Sequence, residues 1–343
     1  ERSGSVGRAA GWVPVHLLIH QKGVLVAAVP LYLKNHSYGE YIFDWSWANA
    51  AAENGIPYYP KLVSAVPFTP VTGCRLLCEE GASSDLIRHV FQALRSLARN
   101  FNAHSFHVLF VTPEERKHWE GVEQVFTQTT HQYHWENTGV SDFAEWLSTF
   151  RARRRKDVLR ERRQVEKLGV DVDVLCGAEM NDMHWSAVEA NYRRTVAAKG
   201  GTAYLSPAFF LALRNDLPEF VLAFIASKDG VPVASSLCFQ QGGHLYGRYW
   251  GCTEGYRGLH FELCYHRPIE HCIENGLFRF EAGAQGTHKI QRGLLPAATH
   301  SAHWVAHQGL HQAIERAVSH GNESQLTVIE KLKHHGPFHR RTQ

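Results

Sequence analysis

A chain of 343 residues with 44% hydrophobic and 20% charged side chains has an ordinary globular composition, long enough for about two domains and too balanced for a disordered or fibrous class. Its formal charge of +3 produces a weak global field, so charged partners must be sought in local patches. The longest apolar stretches, such as residues 23–33 with Pro30 inside, fall short of the ~20 residues that span a bilayer.

The first stretch, "ERSGSVGRAAGW", has no apolar signal-peptide core and begins without Met, as a truncated or processed end would. Seven cysteines, an odd number without a CxxC pair, read as buried thiols in a reducing compartment. Both features favour a cytoplasmic location.

Next in the chain, "KGVLVAAVPLYL" (residues 22–33) reads as a strand opened by a turn glycine, and "YGEY" follows at 38–41. The segments "FDWSWANAAAENGIPYYPKL" and "VPFTPVTGCRLL" then gather Trp45, Trp47, Tyr59, Lys61, Phe68 and Arg75 in irregular, Pro-rich chain. Such aromatic loops are commonly functional, and the alternative is a small satellite core beneath a loop. Residues 83–100 read as a helix capped by Ser or Asp, and "SFHVLFVT" as a strand.

Residues 148–175 read as the first helix and strand of a second unit, with Gly169 ending the helix. "RARRRKDVLRERR" packs seven arginines and one lysine into 13 residues. Arg153, Arg154, Arg155 and Lys156 therefore become candidates for a phosphate-bearing partner such as tRNA, the alternative being a solvated face paired through Asp157 and Glu161. A second helix follows over residues 183–198.

"DGVPVASSLCFQ" and "YGRY" then repeat the earlier stretches at offsets of 207 and 208 residues. Both halves thus read hairpin, glycine-bearing loop, helix, strand, with residues 1–140 as the first unit and 141–343 as the second. The class is α/β (α+β).

In the second copy, residues 251–259 could present backbone N–H groups to an anion with Arg257 in support, or could simply turn the chain. Glu262 and His266 stand four apart on the following helix, either as a proton-moving pair or as a surface pair. The closing strand "LFRFEAGAQGTHKIQRG" sets Arg279 and Glu281 on one face and Phe278 and Phe280 on the other. Glu281 could take the proton of an attacking amine, or form a salt bridge to Arg248 or Lys289. Gln285, His288, Lys289 and Arg292 would line the same site. His300, His303, His307 and His311 follow helical steps, but no carboxylate or cysteine joins them, so no metal is expected. Cys264 and Cys272 read as core thiols.

The order of the second half resembles the acyl-CoA N-acyltransferase (GNAT) fold, and two such units in tandem resemble the FemABX peptidyltransferases, which transfer amino acids from aminoacyl-tRNA onto peptidoglycan precursor peptides. "RARRRKDVLRERRQVEKLGVDV" is similar to their "R-x-x-I-R-R-A-x-K-x-G-V" helix, and "FRFEAGAQGTHKIQRGL" to their "F-D-F-x-G" strand and "F-K-x-G" turn. "PLYLKNHSYGEYIFDW", "YYPKLVSAVPFTPVTG" and "FEAGAQGTHKIQRGLLP" resemble the FemAB-like family of predicted acyltransferases, associated with peptidoglycan biosynthesis or recognition, across nearly the whole chain.

The resemblance implies two GNAT-like units, each a mostly antiparallel twisted sheet flanked by helices. It also implies an acyl donor beside the second loop, with a splayed strand end over residues 246–250. Tyr246, Arg248, Trp250, Gly251, Arg257, Gly258, Gln285 and Arg292 are then donor-binding candidates, and Glu281, His288 and Lys289 catalytic ones. The aromatic segments of the first unit would shape a substrate cleft.

The implied reaction joins an acceptor amine, on a small molecule or peptide, directly to an activated acyl donor. Acyl-CoA or aminoacyl-tRNA would be a co-substrate, with no permanently bound cofactor. "YRGLHFEL" carries one glycine where the GNAT phosphate loop usually carries two, which argues against coenzyme A, while the arginine run argues for tRNA. The alternative is a non-catalytic protein that binds a cell-wall fragment or polyanion.

Overall fold

The computed structural model describes residues 1–42, 44–79 and 83–339; Phe43, at the head of the aromatic segment, lies outside them. The chain divides into two compact units. The first comprises Glu1–Arg2, Val6–His131 and Ala298–Ile329, and the second Ser3–Ser5, Gln132–Ala297 and Glu330–Gln343. The boundary read from sequence at 140/141 thus differs by a few residues from the break after His131. Residues 298–329, placed with the second unit on sequence, pack into the first.

The first unit begins with β1 (Val13–Pro14), β2 (Leu17–Gln21), β3 (Val24–Val29) and β4 (Tyr32–Lys34). There follow α1 (Trp45–Glu53), β5 (Lys61–Ser64), β6 (Leu77–Cys78), α2 (Ser84–Asn100), β7 (Ser105–Val111), α3 (Pro113–Glu120) and β8 (Phe126–Glu136). Ser83 caps α2 by accepting from the Leu86 N–H. Ile87, Val90, Phe91 and Leu94 recur at three- and four-residue steps and bury against Leu62, Phe106 and Val108. β5 and β7 are parallel, a pairing that needs a crossover, and α2 lies in it.

β8 carries the chain into the second unit. There follow α4 (Phe143–Ser148), α5 (Ala152–Glu166), β9 (Asp171–Cys176), α6 (Asp182–Ala198), α7 (Pro207–Asp216), β10 (Val221–Lys228), β11 (Val231–Gln241) and β12 (His244–Cys252). Then come α8 (Leu259–Phe261), a π-helical turn (Glu262–His266), α9 (Arg267–Glu274), β13 (Arg279–Glu281) and a 3₁₀ helix (Thr287–Arg292). The strand order β8-β13-β12-β11-β10-β9 is antiparallel except at β12 and β13. β14 (Leu295–Val305) and α10 (Gln308–His334) close the chain.

The sheet flanked by helices matches the expected GNAT-like class. Two readings need correction. "YGRY" lies in β12, whereas "YGEY" is a turn with positive φ at Gly39 (81°) and Tyr41 (61°), so shared letters there do not mean shared conformation. His300 and His303 sit in β14 and only His311 in a helix, because β-branched and aromatic neighbours outweigh a three-residue spacing.

Candidate active site

β12 and β13 are hydrogen-bonded neighbours only from His244↔Arg279 to Tyr246↔Glu281. Beyond that point β12 keeps β11 as its neighbour, while the other chain follows β8: the Ala282 N–H donates to Tyr133 O at 3.0 Å and the Tyr133 N–H to Gly283 O at 3.1 Å. The two parallel strands therefore part, leaving one edge of residues 247–251 outside the ladder.

Local sequence explains the parting. Leu237 faces Tyr249 and Cys238 faces Gly247, so Arg248 is the extra residue of a β-bulge, which bends the strand and re-aims its side chains. A Cβ on Gly247 would meet the Phe280 ring at 3.1 Å, so the crossing tolerates little else there. Gly251 has a different reason from the one read in sequence. An added Cβ would stand 2.0 Å from the Asn191 carbonyl oxygen of α6, so this glycine lets the helix backbone approach the strand.

The last residue of the paired stretch, Glu281, is 2% exposed. His134 Nε2 stands 4.0 Å from its Oε2. Burial first, then the charges of Arg279 and His244, push the His134 imidazole down to about 3, so it stands neutral beside the carboxylate at physiological pH. Lys289 is 6% exposed. Instead of pairing with Glu281 it donates to Ala282 O at 2.5 Å and Gly283 O at 3.3 Å, pinning the chain where it leaves β12. Burial lowers its pKa to about 8.

His288 is exposed and bonds through Nε2 to the Tyr265 hydroxyl at 3.0 Å. Arg292 is 8% exposed. Its Nε donates to Glu161 Oε2 at 3.1 Å, its Nη2 to Oε1 of the same carboxylate, and its Nη1 to His288 O at 2.9 Å. Arg292 is thus built into the scaffold behind the gap. Gln285 is exposed, and Trp250 packs edge-on to His260 with ring centroids 5.2 Å apart.

At the head of the following helix, Arg257 is exposed and Gly258 adopts φ +94°. Glu262 and His266 do not pair with each other. The Arg267 N–H reaches back five residues to Glu262 O, and Pro268, next in line, has no N–H to offer. In this π turn Glu262 meets Arg162 and Arg267, each at 3.2 Å, while His266 Nε2 meets Glu161 Oε2 at 3.0 Å. Sequence reading missed His134, Glu161 and His266 in these roles, because their partners lie over a hundred residues away.

In the first unit, the structure sets four candidates inside. Lys61 has no exposed surface and bonds Glu40 at 2.7 Å, Asp44 at 2.6 Å and Ser37 at 2.9 Å. Trp47 packs against His303 and Phe68 against Trp12, with centroids 5.0 and 5.6 Å apart. Arg75, 4% exposed, donates to Leu109 O at 2.8 Å and Val71 O at 2.5 Å. Tyr59 is half-buried, its hydroxyl 2.7 Å from Ser37 Oγ, and Trp45 is 42% exposed.

The parallel pair of this unit, β5 and β7, also stops early, at Ser64↔Val108. Here residues 71–75 fill the gap, the Gly73 N–H donating to Phe110 O at 3.1 Å. Arg75 is therefore bonded into this gap through backbone carbonyls.

On α5, Arg153 and Lys156 are exposed and Arg155 half-buried, while Arg154 donates to Asp157 and Gln291. Among the described residues no group of three or more His, Cys, Asp or Glu could hold a metal ion, and no helix is long and apolar enough to cross a membrane.

Comparison with solved structures finds the same fold in FemX, at 10% identity with a TM-score of 0.54 over 92% of this chain and 93% of that one. L-PGS from Bacillus licheniformis is similar at 9% identity and a TM-score of 0.55, over 92% and 91%. No curated protein matches the sequence. The FemAB_like family, described as peptidoglycan biosynthesis/recognition, matches over residues 1–340. The family match ties the chain to a peptidoglycan-related process, and the solved structures show the shared fold. With the parted strands and their buried carboxylate set in that fold, the chain belongs to the FemAB-like family of peptidoglycan biosynthesis/recognition proteins.

Proposed function

We propose that the protein is an acyl- or aminoacyltransferase that forms an amide bond by direct attack of an acceptor amine on an activated acyl donor. The parting of β12 from β13 next to buried Glu281 carries this reading. A donor carbonyl laid along residues 247–251 would meet strand backbone held open by the bulge, and pre-set dipoles of this kind favour charge that develops in the transition state.

In the reaction the amine nitrogen bonds to the donor carbonyl carbon, and its proton passes to a base. The bond from that carbon to the leaving oxygen or sulfur breaks, with the electron pair going to the leaving group. Glu281 is the base, and the Lys289 ammonium faces the developing negative charge. No covalent enzyme intermediate is required. The donor is aminoacyl-tRNA or acyl-CoA; exposed Arg153 and Lys156, with half-buried Arg155 between them, favour the former.

Purified protein is incubated with panels of aminoacyl-tRNAs and acyl-CoAs and a peptidoglycan-precursor peptide amine, and products are scored by mass spectrometry. An amide product with either donor is expected, and Glu281→Gln should slow its formation by about 10²–10⁴. Absence of product with both donors overturns the proposal. It leaves the protein as one that binds a cell-wall fragment or polyanion without chemistry.

A further inference from the structure

Glu161 lies in a helix whose run of 13 residues holds seven arginines, yet it does not pair with its helical neighbours. It turns inward. His266 Nε2 meets its Oε2 at 3.0 Å, and Arg292 grips both oxygens through Nε and Nη2. His266 is fully buried at the last position of the π turn, and Arg292 closes the 3₁₀ helix that carries His288 and Lys289.

The third nitrogen of Arg292 extends the connection. Nη1 donates to His288 O, and Lys289, the next residue, reaches back to Ala282 O and Gly283 O immediately after Glu281. One carboxylate on α5 is thereby joined through one guanidinium to the turn that holds the Lys289 ammonium at the strand gap. A bidentate Arg–carboxylate pair fixes orientation as well as distance. Arg292 also lies over Phe261, with its guanidinium carbon 3.4 Å from the ring centroid, a contact that limits the swing of the fork.

We propose that Glu161 is a positioning residue for Lys289, acting through Arg292, with His266 fixing the second side of the carboxylate. The role in catalysis rests on the reading that Lys289 acts at the gap between β12 and β13. The geometric claim stands on the contacts alone.

The test is hydrogen exchange by mass spectrometry on the full chain, wild type against Glu161→Gln, with a transfer assay alongside. Exchange in residues 286–294, whose turn bonds run from the Lys289, Gly293 and Leu294 N–H groups, should accelerate at least tenfold. β10 and β11 should exchange as in the wild type. Arg292→Lys, which keeps the charge and loses the fork, should loosen the same segment, and Glu161→Asp should restore part of the protection. In the transfer assay kcat should fall about 100-fold with KM little changed, since misplacing a reacting group costs of that order. Unchanged exchange at 286–294, or acceleration spread evenly over the unit, overturns the proposal. Failure of the wild type to transfer any acyl group refutes the proposed reaction instead, and the exchange result still decides the positioning.

Discussion

Lys61→Met separates a structural role from a substrate-binding one. The Lys61 side chain and its two carboxylate partners, Glu40 and Asp44, have no exposed surface. Burial pushes the Asp44 carboxyl up, but Lys61, His107 and a hydrogen bond from Ser37 together hold it well below the usual carboxylate range. Glu40 is raised to about 7, first by burial. Removing the shared cation strands two carboxylates, leaving Lys34, 3.7 Å from Glu40, and the hydroxyls of Ser37 and Tyr58, the latter 2.6 Å from Asp44, to answer them. Breaking a buried pair from one side costs about 3–5 kcal/mol, a large fraction of the roughly 5–15 kcal/mol that holds a domain folded. Urea unfolding followed by tryptophan fluorescence at pH 7.5 measures it. Lys61→Met/Asp44→Asn should recover about half of the loss, because one stranded charge is gone. A single-variant loss below about 1 kcal/mol, the range of an exposed pair, refutes the argument; lost acceptor binding with stability intact would return Lys61 to the substrate.

Other expectations follow from burial and close approach. Desolvation holds His134 and His303 at about 3, and His260 and His300 at about 4, against 6.5 for an ordinary imidazole. Between those limits the unfolded chain binds protons on four rings that the fold leaves neutral, so unfolding takes up protons and stability rises with pH. Glu40 opposes this with one proton between 4.5 and about 7. The thermal midpoint should therefore fall steeply from pH 6.5 to 4.5, and a flat profile refutes the balance. Gly251→Ala, with its Cβ 2.0 Å from Asn191 O, should cost at least the roughly 1–3 kcal/mol of an overpacked site, and a neutral result in chemical unfolding would remove the close-packing argument. Replacing Arg153, Arg155 and Lys156 together by Gln should leave stability within about 0.5 kcal/mol. The salt dependence of tRNA binding should flatten by up to about three contacts, and unchanged binding removes the polyanion role of α5.

The periodic elements were legible because their signal is local. α2 shows its buried face in Ile87, Val90, Phe91 and Leu94, and Gly276, at φ +63°, ends the helix where its position after an apolar stripe says it should. The candidate site was legible as letters but not as contacts. Glu281, Lys289 and Arg292 stand out in one short stretch, yet the sequence offers Lys289 both as a catalytic candidate and as one of two alternative salt-bridge partners of Glu281, and the structure turns its ammonium onto two backbone carbonyls. His134 and Glu161 come to this site from strands and helices over a hundred positions earlier, and no spacing rule announces a pairing of that range.

The duplication shows why the missing part was the decisive one. Both units hold a parallel strand pair that stops early, and in each an arginine follows at short range: Arg248 in the second, Arg75 in the first. In the first unit Gly73 and Arg75 bond the carbonyls of Phe110 and Leu109, so the chain itself occupies the gap. In the second, Arg248 is the extra residue of a bulge, Lys289 bonds the carbonyls of Ala282 and Gly283, and the backbone after Glu281 pairs with Tyr133 of β8 instead of β12. An arginine in a loop therefore says nothing about whether it lines a site or fills one. What decides is where the following backbone finds its hydrogen bonds, and on that ground chemistry is expected of the second unit's gap alone.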